Sequence, residues 1–110
     1  MNQREIWYAN LEPVKGSEQG GNRPVVIVSG DVMNTILSVL IICPLTSKIK
    51  HIKGCPLIAK NRNNGLKRDS ELLVFQVRCI AKHRLSKKVG VIEQHQLTEA
   101  ISGINLFLKH

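Results

Sequence analysis

Two nearly continuous apolar segments constrain the fold more than any other feature of the sequence. Residues 24–29 are a Val/Ile run, and residues 37–45 form a second strongly apolar segment. Short apolar runs without polar alternation are typical of strands that are covered on both faces. The chain has one Trp, one Tyr and two Phe, so branched aliphatic residues must fill most of the core, and these favour strands. The sequence therefore predicts a mainly β protein.

Other short segments complete a small barrel. Strands are predicted at residues 6–11, at 55–60 as an edge strand next to Pro56, and at 71–74, whereas residues 76–80 are ambiguous. Residues 31–34 predict a turn or a single helical turn. The 110 residues are expected to form one domain of five or six strands, a partly open barrel closed by a terminal helix.

The terminal helix is indicated by apolar residues that recur every three or four positions. Leu97, Ile101, Ile104 and Leu108 would form one face of this helix. Gly103 lies within it and is expected to weaken it by about 1 kcal/mol relative to Ala.

The charge balance predicts a polyanionic partner. Lys and Arg number 16 and Asp and Glu number 8, which gives a net charge of +8. Nucleic acid, an acidic protein and an acidic membrane surface are all compatible with this excess. Apolar segments are too short for a spanning helix, and the first eight residues lack a signal-peptide core. We therefore expect a soluble, cytoplasmic protein.

The cysteines predict neither a disulfide scaffold nor a metal site. Cys43, Cys55 and Cys79 are an odd number, and neither they nor the four histidines have the spacing of zinc ligands. Cys43 and Cys79 lie in apolar segments, where cysteine usually acts as a small buried apolar residue. No metal or other cofactor is expected.

A polar loop that leads into the first apolar run is the strongest candidate for chemistry. Residues 16–24 read Gly-Ser-Glu-Gln-Gly-Gly-Asn-Arg-Pro, and Pro24 restricts Arg23 to extended conformations. A guanidinium held in this way suits a phosphate, although a solvated loop arginine is an equally simple interpretation. The loop is not a Walker-type phosphate loop, because no Lys-Ser or Lys-Thr follows its glycines.

Further candidates flank the other apolar segments. Thr46, Ser47 and Lys48 follow the second run and could orient a phosphate oxygen or a ribose hydroxyl, but all three are also ordinary strand-end residues. Arg68 is explained equally well by a buried pair with Asp69 or by a turn cap. Arg78 could extend its charged end to solvent. The run at residues 82–88 is either a solvated face or a track for phosphates.

In this order, the segments resemble the MazF/PemK family of bacterial toxins, the mRNA interferases. The resemblance covers about residues 5–108, and the loop Gly-Ser-Glu-Gln followed by Arg-Pro is its specific part. The other matching segments are Ile6-Trp7, Leu11-Glu12-Pro13, Pro44-Leu45-Thr46-Ser47, Arg68-Asp69-Ser70, Gln76-Val77-Arg78 and Arg84-Leu85. The sequence departs from the family at Arg4-Glu5, where Gly-Asp is common, and at Phe75, where some branches carry an acid.

The resemblance implies an SH3-like barrel with a terminal helix and a metal-independent endoribonuclease that acts on single-stranded RNA. The ribose 2′-hydroxyl would attack the adjacent phosphorus, which gives a 2′,3′-cyclic phosphate and a 5′-hydroxyl end. Arg23 would stabilise the transition-state charge, Thr46 would hold the phosphate or the hydroxyl, and Glu18 would act as a general base or anchor Arg23. The residues expected to bind substrate are Gln19, Asn22, Ser47, Lys48, Arg68, Gln76, Arg78, Lys82 and Arg84.

The resemblance also implies partners and leaves two other functions open. A homodimer is expected, as is an acidic antitoxin that folds across the basic surface. The alternatives are a gyrase-poisoning toxin of the same fold and a basic nucleic-acid-binding module without catalysis. Arg23 together with Thr46 favours the nuclease over the gyrase poison, whereas composition fits the binding module equally well.

Overall fold

A computed structural model describes residues 1–12 and 21–110 of the chain. Within them lie seven strands, two α-helices and two short 3-10 helices. The strands are β1 (Glu5–Asn10), β2 (Asn22–Ile27), β3 (Val39–Thr46), β4 (Leu57–Ile58), β5 (Ser70–Leu72), β6 (Arg78–Ala81) and β7 (Leu85–Val91). Helix α1 spans Asp31–Ile36 and α2 spans Gln94–Lys109; the 3-10 helices are Val74–Gln76 and Lys82–Arg84. In the described residues, no helix is long and apolar enough to cross a membrane.

Strand β3 is the centre of one antiparallel sheet. The strand order is β4-β5-β3-β2-β1-β7, and β6 also pairs with β3. Strand β2 occupies one edge of β3, whereas β6 and then β5 occupy the other. The predicted fold class, a mainly β SH3-like barrel with a terminal helix, is confirmed.

The central strands are buried on both faces, as the two apolar runs predict. In β2, Val26 belongs to a core between the sheet and α2, to which β5 contributes Leu72 and α2 contributes Leu97 and Ala100. Its neighbours Val25 and Ile27 belong to a second core on the opposite face of the sheet. Consecutive side chains of a strand point to opposite faces, so an uninterrupted apolar run can fill both cores.

The later strands differ most from the sequence expectations. Strand β7 is not predicted, because the charged residues of the 82–88 run lack the apolar pattern of a strand. The run consists of a 3-10 helix followed by the start of a strand that pairs with β1. The ambiguous segment 76–80 includes the first three residues of β6, among which Ile80 is buried. Cys79 is exposed, which contradicts its predicted role as a buried apolar residue, because strand alternation turns its side chain outward.

The face that α2 buries matches the predicted one only in part: Leu97 is buried and Ile104 packs against the core, as predicted. The buried residues are Leu97, Ala100 and Gly103, whereas Ile101 and Leu108 of the predicted face are exposed. A Cβ atom built at Gly103 would overlap the main-chain carbonyl oxygen of Gly54. Small residues at positions 100 and 103 therefore let the helix approach the 52–55 segment closely, and this close approach selects the buried face.

Gly103→Ala should destabilise the fold by about 1–3 kcal/mol, although Ala is the better helix former. The new methyl group would meet main-chain atoms of Gly54, which no side-chain rotation can relieve. Urea unfolding followed by Trp7 fluorescence measures the change. Ser102→Ala, at the neighbouring exposed position, is the matched control and should be neutral or slightly stabilising. A Gly103→Ala variant as stable as this control would contradict the close-packing account.

The start of β1 contains the Arg4-Glu5 departure noted in the sequence. Arg4 has φ +79°, a left-handed conformation that glycine adopts without strain and that costs other residues about 1–2 kcal/mol. Its main chain is held by hydrogen bonds from its N–H to Ile27 O (2.8 Å) and from Ile92 N–H to its carbonyl (2.9 Å). The family's common glycine thus matches the backbone geometry found here.

The adjacent Glu5 carboxylate links β1 to β7. It accepts hydrogen bonds from Trp7 Nε1 (2.9 Å) and Asn2 N (3.1 Å), and Lys88 Nζ lies 3.2 Å away. Burial by itself would raise the pKa of Glu5, but the hydrogen bond from Trp7 and the contacts of Asn2 and Lys88 outweigh it and lower the pKa below its ordinary value. Ionised Glu5 therefore stabilises the fold.

Glu5→Gln should lower the free energy of unfolding by about 1–2 kcal/mol at pH 7. Because the folded pKa of Glu5 is lowered, its contribution is present above the unfolded pKa, near 4.5, and is lost as pH falls through the folded value. Denaturation curves from pH 7 to pH 3 should therefore show the variant converging on the wild type in acid. A constant difference across this range would contradict the linkage. Glu99→Gln, an exposed carboxamide substitution on α2, is the control.

Candidate active site

The C-terminal end of β3 separates two clefts. Thr46 is the last residue of the strand and lines one cleft, whereas Ser47 lines the other. The Arg23 cleft has a volume of about 240 Å³ and is lined by Tyr8, Arg23, Pro24, Leu45, Ser47, Gly65, Leu66, Lys67, Arg68, Ser70 and Val89. The Phe75 cleft has a volume of about 280 Å³ and is lined by Thr46, Lys48, Lys50, Ile52, Glu71, Leu73, Phe75 and Gln76.

The Arg23 cleft has the chemistry of a phosphate site. Arg23 lies in β2, opposite Ala9 of β1, and is exposed. Lys67 and Arg68 supply two further cations, and none of the described lining residues is acidic. Guanidinium groups remain protonated at all relevant pH values and offer several donors in a fixed plane. The cleft can therefore hold an anion and stabilise additional negative charge on it.

The alternatives for Arg68 are decided by its neighbours. Arg68 is exposed, so it does not form the buried pair with Asp69. Asp69 Oδ1 instead accepts a hydrogen bond from the main-chain N–H of Lys60 (2.9 Å), and Ser70 Oγ donates to the Arg68 carbonyl (3.0 Å). The triplet is thus a turn cap whose arginine side chain faces the Arg23 cleft.

Thr46 and Glu71 form the ordered base of the Phe75 cleft. Thr46 is 8% exposed, and its Oγ1 accepts a hydrogen bond from Lys48 N (3.2 Å). Thr46 pairs with Glu71 across β3 and β5. The fully buried Glu71 carboxylate accepts hydrogen bonds from Lys50 N (2.9 Å) and Ile52 N (2.7 Å). This carboxylate fixes the loop that follows Thr46, including His51 at φ +55°.

The remaining predicted residues divide into three groups. Asn22 begins β2 next to Arg23, is exposed and pairs with Asn10. Arg78, Lys82 and Arg84 are half-buried and line neither cleft. Arg78 Nη1 donates a hydrogen bond to the Leu11 carbonyl (3.4 Å). Arg84 Nη1 is buried and has no hydrogen-bond partner. Glu18 and Gln19 lie outside the described residues, as does most of the glycine-rich loop.

The two buried cysteines are poorly suited to thiol chemistry. Burial, together with the neighbouring Cys55, raises the pKa of Cys43 to about 12, and burial also raises the pKa of Cys55. Both thiols are thus poor nucleophiles at neutral pH. Residues 1–12 and 21–110 contain no cluster of three His, Cys, Asp or Glu side chains that could hold a metal ion.

Sequence reasoning missed several residues of the two clefts. Tyr8 and Lys67 line the Arg23 cleft, and Lys50, Glu71 and Phe75 line the Phe75 cleft. A signal was available for Glu71, because a single acid in the apolar segment Ser-Glu-Leu-Leu-Val indicates a buried, satisfied carboxylate. A signal for Phe75 was that it is one of very few aromatic residues and follows that strand directly.

Comparison with known proteins identifies the family and agrees with this fold. The family described as PemK-like, MazF-like toxin of type II toxin–antitoxin system matches residues 2–108. Endoribonuclease MazF of Staphylococcus saprophyticus is 32% identical over 109 residues, which are 98% of this chain and 91% of that protein. Endoribonuclease EndoA of Bacillus subtilis is 30% identical over 105 residues, 94% of this chain and 90% of that protein.

Solved structures share the architecture. MazF from Deinococcus radiodurans superposes with a TM-score of 0.87 at 21% identity, with 100% of this chain and 97% of that one covered. A mycobacterial endoribonuclease in complex with its cognate antitoxin gives a TM-score of 0.81 at 14% identity, covering 98% and 94%. The family match over residues 2–108 defines the class as that of toxins from type II toxin–antitoxin systems, and these structures share its fold.

Within that class, the chain belongs to the MazF/PemK family, which confirms the resemblance seen in the sequence. Both curated relatives above are named endoribonucleases, in agreement with the enzyme class that the resemblance implies.

Glu71→Gln should loosen the loop that follows Thr46, because a carboxamide has one acceptor oxygen for two main-chain N–H groups. The amides of Lys50 and Ile52 should exchange with solvent faster, and the loss of a buried acceptor should cost about 1–3 kcal/mol. Hydrogen exchange followed by NMR measures both amides. Asp69→Asn is the matched control and should change exchange at Lys60 only. Unchanged protection at Lys50 and Ile52 would refute the anchoring role.

Proposed function

We propose that this chain is a sequence-specific, metal-independent endoribonuclease toxin that cleaves single-stranded mRNA. The ribose 2′-hydroxyl of the RNA would attack the adjacent phosphorus, which gives a 2′,3′-cyclic phosphate and releases a 5′-hydroxyl end. One observation carries the proposal: Arg23, Ser47 and Arg68 converge in a cationic cleft directly beside the nearly buried Thr46. Membership of the MazF/PemK family supports the same activity.

Each group has a defined role in this reaction. Arg23 stabilises the negative charge that builds on the phosphorane oxygens, because a guanidinium offers several N–H donors to them. Thr46 and Ser47, one on each side of the strand end, hydrogen-bond the phosphate or position the attacking hydroxyl. Glu18 is our candidate for the general base, with anchoring of Arg23 as its alternative role. No step requires a metal ion or another cofactor.

Partners follow from charge and from exposed apolar surface. The net charge of +8 attracts an acidic, partly disordered antitoxin that would cover the RNA-binding surface and fold on binding. The antitoxin complex of the mycobacterial endoribonuclease supports this expectation. We also propose a homodimer, because Val32 and Ile36 on α1 and Leu108 on α2 are more than 70% exposed apolar side chains. Its action on mRNA would take place in the cytoplasm.

Arg23→Ala should lower the cleavage rate by about 10²–10³-fold, the usual loss when one charge-stabilising donor is removed. The assay uses a long unstructured RNA with EDTA present, and the product ends are mapped for cyclic phosphate. Arg62→Ala is the matched control, because Arg62 is an exposed arginine that lines neither cleft, and it should retain activity. A loss of less than tenfold in Arg23→Ala would remove Arg23 from the mechanism.

Thr46 is tested in the same assay by a pair of variants. Thr46→Ser keeps the hydroxyl and should retain most activity, whereas Thr46→Val keeps the shape and should lose it. If the wild type binds RNA without cleaving it, the non-catalytic binding module is indicated. If the wild type shows no cleavage and no binding, the gyrase-poisoning alternative is indicated.

A further inference from the structure

We propose that the Phe75 cleft binds one nucleobase of the RNA, stacked on the Phe75 ring, while the neighbouring phosphate occupies the Arg23 cleft. The inference rests on the proposed function in taking RNA as the ligand. It adds a base-stacking residue and a base-binding site to the phosphate site.

The first observation is the position of the ring. Phe75 is 44% exposed although it belongs to a chain with few aromatic residues. Phe107 of α2 contacts it edge to face, with ring centroids 5.8 Å apart and an interplanar angle of 63°. This contact holds the ring in place from one side and leaves nearly half of its surface to solvent. An aromatic side chain that is both fixed and exposed is a suitable stacking surface for a base.

The second observation is the shape of the cleft. Ile52 and Leu73 provide an apolar lining, and the wall that carries Ile52 is fixed by the two hydrogen bonds to Glu71. Its volume of about 280 Å³ lies at the lower limit of ligand-binding cavities, so it suits a single ring system. Because the wall is preorganised, little conformational entropy is lost when a base enters.

The third observation is the charge around the rim. Lys48 and Lys50 are exposed along the cleft wall, and no exposed acid lies among its lining residues, since Glu71 is completely buried. A polyanion is therefore favoured over an uncharged ring compound.

The fourth observation is the arrangement of the two clefts. Thr46 and Ser47 are consecutive residues and line opposite clefts, so only the strand end separates the clefts. A nucleotide carries its base and its phosphate on different sides of the sugar, and single-stranded RNA can splay its bases outward. A single nucleotide can thus straddle the strand end, with its sugar over Thr46. This placement would bring the 2′-hydroxyl close to the proposed catalytic groups.

Two uncleavable probes test the proposal independently of catalysis. One is a fluorescent pool of 2′-O-methyl RNA decamers of random sequence, and the other is a fully abasic decamer with the same number of phosphates. Anisotropy titration should show that Phe75→Ala weakens binding of the base-bearing pool by about 5- to 150-fold, the range for loss of one stacked base. Binding of the abasic decamer should not change. Arg23→Ala should weaken binding of both probes.

Matched variants separate stacking from folding. Phe75→Tyr retains the ring and should restore affinity, whereas Leu57→Ala, which removes a similarly exposed apolar side chain outside both clefts, should leave it unchanged. Thermal melting shows whether loss of the contact with Phe107 unfolds the variant. Equal effects of Phe75→Ala on both probes, or no effect on either, would overturn the base-binding proposal. Failure of the wild type to cleave RNA would overturn the proposed function instead, and a selective effect of Phe75→Ala would still support the cleft.

Discussion

Burial of β2 and β3 on both faces is the constraint on which the rest of the structure depends. Val25 and Ile27 point into one core, and Val26 and Val28 into the other, so neither face of the sheet can be left to solvent. Helix α2 covers one core, and the sheet, which continues through β1 and β7, contributes to the second. Every residue of β3 also pairs with β2, β5 or β6, which restrains its main chain.

The candidate site benefits directly from this constraint. Thr46 ends the most extensively paired strand, and Arg23 is the second residue of the strand beside it, so both side chains start from well-supported main chain. Oriented donors stabilise developing charge best when no reorganisation is needed during the reaction. The loop after Thr46 then adds the exposed side chains of Lys48 and Lys50 beside this fixed frame.

Much of the fold follows from local sequence patterns, and the parts that do not follow depend on tertiary contacts. The apolar runs predict β2 and β3 because burial on both faces removes polar alternation. Strand β7 escapes prediction because its lysines reflect exposure, whereas its conformation is imposed by pairing with β1. The periodicity of α2 indicates a helix, but the choice of Gly103 over Ile101 as a buried residue depends on the distant Gly54.

The candidate site, like the fold, follows from the sequence in part and depends on tertiary contacts for the rest. Arg23, Ser47 and Arg68 could be named from the sequence, and the structure brings them together. That Thr46 and Ser47 face different clefts could not be predicted, because it depends on where β5 and the 3-10 helix at Val74–Gln76 pack beside β3. Arg78 and Arg84 match the family pattern in sequence but line neither cleft. Arg78 donates to Leu11 and Arg84 precedes Leu85, and both leucines belong to the second core.

The way in which Glu71 anchors its loop has a consequence for how such proteins diversify. Both hydrogen bonds run to main-chain N–H groups, so they do not depend on which side chains stand at positions 50 and 52. Substitutions of Lys48 or Lys50 can therefore alter the chemistry of the cleft rim without remodelling the loop. The buried acid thus keeps the shape of the loop while the exposed side chains of the rim change. In such proteins, new RNA targets could be acquired by changes of these surface side chains alone.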